Sequence, residues 1–265
     1  MSGGDIDETA LFLVAMAAFC VVLELAFRLG RHRLARDGNA DAEAVRVHLR
    51  TLQSALLGLL SLLLGFSFAM AATRFDARKA LILEEVNAID TTYLRAQLLP
   101  EASRRELTSL VCAYATSRIE LLRAGDNQPL MDAASAAGAG IAARLWATAT
   151  ATAVNAQSPT QILFVLQSIG DIINVGEKRR AALENHVPRT VIGLLFGVAL
   201  GAMGFIAYGH GLMSTRRHGS SVLFALLIAM VFTIIVDLDR PRTGFIIVGE
   251  EGLVRLKEML DREPT

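Results

Sequence analysis

Charged residues of both signs stand at the end of an apolar segment near the carboxyl terminus, in "IIVDLDRPRTGFIIV" (234–248). They are Asp237, Asp239, Arg240 and Arg242, arranged around Pro241. Charges at the end of a membrane helix are costly unless they are paired or hydrated. Their candidate partners are one another and the basic residues Lys178, Arg179 and Arg180. Because buried charges are usually paired, we favour a structural ion-pair clasp over an ion-binding site.

No other group of residues has the spacing of a catalytic or metal centre. The five histidines are scattered over the chain at His32, His48, His186, His210 and His218. The two cysteines, Cys20 and Cys112, lie in different segments, and no P-loop or nucleophile motif is present. The sequence therefore predicts no enzyme, no metal site and no cofactor.

One apolar segment carries a stripe of small and hydroxyl residues at alternating spacings of four and three. The stripe comprises Ser54, Gly58, Ser61, Gly65, Phe68 and Ala72. Small-residue enrichment alone favours a close helix–helix seam. The alternative is a pore lining in which Phe68 closes the passage by excluding water. Both interpretations place these residues on one face of one helix.

A polar sequence continues the same helix beyond the stripe. The residues Glu84, Asn87 and Asp90 are candidates for the vestibule of a pore, if several subunits surround an axis. The alternative is an ordinary solvated acidic face.

A second run of small residues consists of Gly193, Gly197, Gly201 and Gly204. Glycines at this spacing let helix backbones approach closely in a membrane. Two small-residue faces exceed what one subunit needs, so the sequence predicts a homo-oligomer.

The elements that must position these residues follow from hydropathy. Apolar residues make up 53% of the 265 residues and are concentrated in four blocks. Each block approaches the roughly 20 residues that cross about 30 Å of hydrocarbon. The predicted membrane helices are about 10–27, 52–72, 190–208 and 220–236. The lipid bilayer is therefore a partner, and a net charge of zero predicts no binding to nucleic acid.

Prolines divide the polar segment between the second and third membrane helices. Pro100, Pro129 and Pro159 mark helix starts and Pro188 marks the return to the membrane. We predict an all-α protein with a helical extramembrane domain inserted between helices 2 and 3. The predicted divisions are a membrane hairpin over 1–72, the inserted domain over 73–188, a second hairpin over 189–236 and a charged tail over 237–265. The absence of proline between 52 and 99 predicts that helix 2 runs into the domain as one rod.

Two charge patterns in the sequence predict opposite orientations of the protein in the membrane. The basic first loop (28–50) and the acidic amino terminus place the loop in the cytoplasm and the inserted domain outside. The basic residues that flank the domain argue for the opposite orientation. An Arg- and Ala-rich composition and an uncleaved first segment point to a bacterial inner-membrane protein.

The residues of 56–100, the Tyr114/Arg118 pair and "VDLDRPRTGFI" together resemble the bacterial bestrophin-like membrane proteins. Two positions depart from that pattern: Asp90 stands where the family has glycine, and Arg242-Thr243 replace an aromatic–small pair. The distantly related bestrophins are pentameric ion channels whose second helix lines the pore and whose inserted domain is cytosolic. The resemblance thus implies a pentameric channel for inorganic ions. The alternative is a non-conducting scaffold or sensor that couples its helical domain to the bilayer.

Overall fold

The computed structural model describes residues 8–37, 42–125, 127–154, 159–213, 218–240, 249 and 251–262, with backbone only at 8, 37, 42–46 and 218. Every regular element in these ranges is a helix. The helices are α1 (Glu8–Asp37), α2 (Ala42–Ala96), α3 (Glu101–Arg123), α4 (Gln128–Val154), α5 (Pro159–Glu184), α6 (Arg189–Leu212), α7 (His218–Asp239) and α8 (Glu251–Arg262). The predicted all-α class is confirmed.

Four segments are apolar and long enough to cross a membrane, as predicted: Thr9–Arg36, Val47–Ala96, Pro159–Leu212 and Gly219–Asp239. The segment 159–212 contains both α5 and α6, and the uncharged stretch that was predicted to cross the membrane lies in α6. Helices α1 and α2 extend beyond the predicted membrane segments 10–27 and 52–72 and continue through most of the segment between them that was predicted as a loop. Its arginines are compatible with helix formation and gave no signal against it.

Helix α2 is 55 residues long and unbroken, as the lack of internal proline predicted. At 1.5 Å per residue it extends for about 80 Å. Prolines also begin the later helices: Pro100 and Pro188 precede α3 and α6, Pro159 opens α5, and Pro129 is the second residue of α4. Proline is tolerated there because the first turn of a helix leaves its N–H groups unbonded in any case.

The chain forms two compact units. The first contains Met1–Thr73 and His186–Asp239. In it α1 packs on α6 and α7. The ring of Phe196 contacts the rings of Phe19 and Phe232 in a tilted arrangement, with centroids 5.5 Å apart in each pair. Gly30 and Gly211 mark the closest backbone approach. A Cβ atom on Gly211 would lie 2.3 Å from the carbonyl oxygen of Phe27.

The second unit contains Arg74–Asn185 and Arg240–Thr265. Its core is built from the second half of α2 and from α3, α4, α5 and α8, with fully buried side chains such as Ile89, Val111, Leu145, Ile169 and Leu253. Helix α8 was missed, since 237–265 was predicted only as a charged tail. The signal was present in Leu253, Leu256 and Leu260, which repeat at three and four residues and are buried.

Candidate functional site

The small-residue stripe of α2 faces away from the other helices of its own unit. Ser54, Gly58, Ser61, Gly65 and Phe68 are exposed and Ala72 is half-buried. A different face of α2 is buried, through Leu60, Ser67 and Ala71. A Cβ atom on Gly58 or Gly65 would meet no heavy atom within 4 Å. Among the described residues of one subunit, therefore, no helix packs closely on these two glycines of the stripe.

A third face of α2 is also exposed and has a different composition. It carries the large apolar side chains of Leu59, Leu62 and Phe66, of which Phe66 is 63% exposed. Because successive residues of a helix are separated by about 100°, Phe66 and Phe68 point in nearly opposite directions. The outer surface of α2 is thus divided between a bulky apolar face and a narrow face of small and hydroxyl residues.

The three vestibule candidates do not share one face of α2. Asp90 belongs to the second unit and lies on α2 36 residues, or about ten helical turns, after Ser54. It forms no ion pair or hydrogen bond with any residue that the structure describes. Glu84 lies about 120° away and is paired with Lys178, at 2.8 Å between Nζ and Oε1. Asn87 and Glu84 instead line a cleft of about 530 Å³ against α5.

Glu85, next to Glu84, lies in a buried ion cluster for which the sequence contains no direct signal. Its side chain is fully buried. Its Oε1 accepts a hydrogen bond from Nε of Arg118 at 2.6 Å, and its Oε2 accepts one from Nη1 of Arg179. The Arg118 guanidinium lies 5.7 Å from the ring centre of Tyr114. Three helices, α2, α3 and α5, are joined in this way through one carboxylate.

The hydroxyl of Tyr114 also points toward Glu85, at 3.5 Å from Oε1. Burial of the phenol is the main reason that the pKa of Tyr114 is raised to about 12, and the nearby Glu85 carboxylate adds to the shift while Arg118 opposes it. Gly176 of α5 makes room for this hydroxyl, since a Cβ atom there would lie 3.2 Å from it. Tyr114 therefore stays protonated and remains a hydrogen-bond donor at neutral pH.

Asp239, the last residue of α7, binds the residues that precede α6. Its Oδ1 accepts the backbone N–H of Val187 at 2.9 Å. Its Oδ2 lies 3.5 Å from Nδ1 of His186, and the same nitrogen is 3.2 Å from the Asp239 carbonyl oxygen. The carboxylate thus links the ends of two adjacent membrane helices. Neither His186 nor Val187 is among the partners predicted from the sequence.

The remaining clasp residues are only partly described. Asp237 is buried and has interaction partners, as does Arg240. Arg242 lies outside the described residues. The three basic residues suggested as partners are each bound within their own unit: Lys178 to Glu84, Arg179 to Glu85 and Arg180 to Glu177.

Of the four glycines in the run on α6, only Gly204 lies against another described helix. A Cβ atom on Gly204 would lie 3.2 Å from Val22 of α1. At Gly193, Gly197 and Gly201 it would meet no heavy atom within 4 Å. Among the described residues of one subunit no helix packs closely on these three glycines, and the predicted close contact stays a prediction.

No group of three or more His, Cys, Asp and Glu side chains that could hold a metal ion occurs in the described part of the chain. The absence of a cofactor or a catalytic site stays a prediction from sequence.

The four apolar helices define an integral membrane protein with an all-helical fold. The Bestrophin-like domain model matches residues 14–253, and the chain belongs to the bestrophin-like family. No curated protein matches it.

The fold matches crystal structures of a bacterial bestrophin homologue from Klebsiella pneumoniae. A structure solved by zinc anomalous phasing has 13% sequence identity and a TM-score of 0.66, covering 96% of this chain and 98% of that chain. Two structures of variants of that homologue each have a TM-score of 0.68, with 13% and 12% identity. They cover 94% and 98% of this chain, and 97% of the homologue's chain in both cases. At this level of identity the similarity establishes the fold.

Proposed function

We propose that this protein is one subunit of a homo-oligomeric ion channel of the bacterial inner membrane, with α2 lining the pore. The observation that carries the proposal is the exposed stripe of small and hydroxyl residues on α2. Hydroxyl groups and glycine backbone are poor surfaces for lipid, whereas the bulky face of Leu59, Leu62 and Phe66 suits lipid well. Placing the stripe around a shared axis leaves each face in the environment that fits it.

Phe68 is the largest side chain of the stripe and is 45% exposed in the single subunit. A ring of phenylalanines around an axis forms an apolar constriction that excludes water and stops ions. Asp90, farther along α2, would then form a ring of carboxylates at the pore entrance. In that position it would favour cations electrostatically.

Oligomerisation accounts for the glycines of α6 that meet no neighbour. Gly193, Gly197 and Gly201 leave a smooth surface on which a helix from another subunit can pack closely. The family resemblance favours a pentamer. It also favours a cytosolic position for the helical domain inserted over 73–188, in opposition to the charge of the first loop. A membrane-impermeant thiol reagent on single-cysteine variants in 73–188 decides the orientation by labelling in intact or only in lysed cells.

The test of the channel is ion flux through the reconstituted full-length protein, compared between two matched variants. Phe68→Ala removes a side chain from the proposed pore, and Phe66→Ala removes the same side chain from the bulky face. We expect Phe68→Ala to raise conductance or open probability several-fold and Phe66→Ala to leave the conductance near that of the unmodified protein.

The non-conducting scaffold predicts other results. If the unmodified protein and Phe68→Ala are both silent in bilayers over a range of salts and pH, while both remain folded and oligomeric, the channel proposal fails. If both phenylalanine variants change conductance equally, the protein conducts but α2 does not line its pore through the stripe.

A further inference from the structure

The Glu85 cluster carries more positive than negative charge. One carboxylate stands against two guanidinium groups, Arg118 and Arg179, which leaves a net charge of +1. Among the described residues no second carboxylate lies within ion-pair distance of either guanidinium. Arg118 is 8% exposed and Arg179 3% exposed, so water cannot fully compensate the surplus charge. Uncompensated charge in such a place is expensive.

The cluster also has more hydrogen-bond donors than acceptors. Arg118 uses only Nε and Arg179 only Nη1 in hydrogen bonds to described residues. Both Nη groups of Arg118, and Nε and Nη2 of Arg179, donate to no described residue. The Tyr114 hydroxyl, at 3.5 Å from Glu85, is too distant for a strong hydrogen bond. An arginine offers five N–H donors, so most of the donor capacity around Glu85 is unused.

The nitrogen atoms that carry these unused donors are not fully enclosed by the protein. The described residues contain one fully enclosed side-chain polar atom without a hydrogen bond, and it is Nη1 of Arg74 rather than an atom of this cluster. The unused nitrogens of Arg118 and Arg179 therefore each touch accessible space. Gly138 of α4 lies beside this part of the cluster. A Cβ atom on Gly138 would lie 3.2 Å from the Ser117 hydroxyl oxygen and 3.9 Å from Nη1 of Arg118.

We propose that the cluster binds a small monovalent anion beside Arg118, which neutralises the surplus charge and accepts hydrogen bonds from the unused donors. Halide and nitrate have the required charge and accept hydrogen bonds. Water would satisfy the donors but would leave the charge uncompensated. The site lies in the second unit, among α2, α3 and α5, and does not depend on whether the protein conducts ions.

The test is the thermal stability of the full-length protein in detergent as sodium chloride replaces sodium gluconate at constant ionic strength. A ligand that binds only the folded state raises the melting temperature as its concentration exceeds its dissociation constant. We expect the melting temperature to rise with chloride. Arg118→Gln, which makes the cluster neutral, should abolish the rise.

Glu85→Gln provides the opposite change, because it raises the charge of the cluster to +2. We expect its chloride response to begin at a chloride concentration at least several-fold lower than in the unmodified protein. Glu84→Gln is the matched control: it removes the adjacent, solvent-exposed carboxylate and should respond to chloride as the unmodified protein does.

A melting temperature that is independent of chloride in the unmodified protein overturns the proposal. So does an equal chloride response in all four proteins, which would be a general salt effect. Because Arg118→Gln could fail to fold, anomalous diffraction from crystals of the unmodified protein in sodium bromide supplies an independent result. A bromide peak in contact with Nη1 or Nη2 of Arg118 supports the site, and its absence at high bromide contradicts it.

Discussion

Replacement of Glu85 by glutamine should destabilise the protein far more than the same replacement at Glu84. The Glu85 carboxylate is fully buried and pairs with Arg118 and Arg179, which are themselves nearly buried. Removing its charge leaves two buried guanidinium groups without an ionic partner, and breaking a buried pair in this way costs about 3–5 kcal/mol. Glu84 pairs with Lys178 through side chains that are 47% and 59% exposed, and such a pair contributes about 0–1 kcal/mol.

The measurement is thermal unfolding in detergent, followed by circular dichroism of the helices. For a chain of this size about 1 kcal/mol corresponds to roughly 2–4 °C in melting temperature. Glu85→Gln should therefore melt roughly 6–20 °C lower than the unmodified protein, and Glu84→Gln within a few degrees of it. The melting temperatures should be compared in sodium gluconate, because an anion bound beside Arg118 would offset part of the stability lost in Glu85→Gln.

Two results would refute this reasoning. A Glu85→Gln protein that melts as high as the unmodified protein would show that the buried ion pairs contribute nothing net to stability. Equal destabilisation by both variants would show that the burial of Glu85 is not what distinguishes them.

Four further perturbations test other parts of the structure. Asp239→Ala should lower the free energy of unfolding by about 1–3 kcal/mol because the Val187 N–H loses its acceptor, and Asp239→Asn, which keeps an acceptor oxygen, should lower it less in the same denaturation experiment. Gly211→Ala should cost about 1–3 kcal/mol because its Cβ would lie 2.3 Å from a carbonyl oxygen of α1. Gly197→Ala, with no neighbour within 4 Å, should leave the stability of the isolated subunit unchanged or slightly raised, and light scattering would reveal any loss of oligomer. The pKa of Tyr114 is raised from 10.0 to about 12, so its contribution to stability is complete below pH 10 and is lost as the pH rises toward 12. The difference in melting temperature between the unmodified protein and Tyr114→Phe should accordingly shrink over that interval, and a constant difference would contradict the assignment.

The sequence by itself determined the helical class, the four membrane segments and the continuity of α2. These follow from local properties: hydropathy over about 20 residues, and the inability of proline to continue a helix. The faces that pack in α3 and α5 were also readable from local spacing. Leu107 and Tyr114, and Ile162 and Ile169, repeat at helical intervals and are buried in the structure. The buried leucines of α8 carried the same signal, which the charged residues between them obscured.

Tertiary structure decided which glycines lie at helix contacts. The regular run at Gly193, Gly197 and Gly201 was the stronger sequence signal, yet the close approach within the subunit occurs at Gly30 and Gly211. Spacing identifies a smooth helix face, but it does not identify the helix that covers that face. The covering helix is set by where α1 crosses α6, a relation between segments about 180 residues apart in sequence.

For the same reason, the burial and the partners of the charged residues could not be predicted from the sequence. Glu84 and Glu85 are adjacent and chemically identical, but successive positions on a helix point about 100° apart. One carboxylate therefore faces solvent and Lys178, while its neighbour is enclosed between arginines from α3 and α5. Asp239 likewise finds its partners in a segment more than 50 residues earlier in the chain. Residue type and spacing define what a side chain can do, and only the packing of distant helices decides which side chain is buried and what it binds.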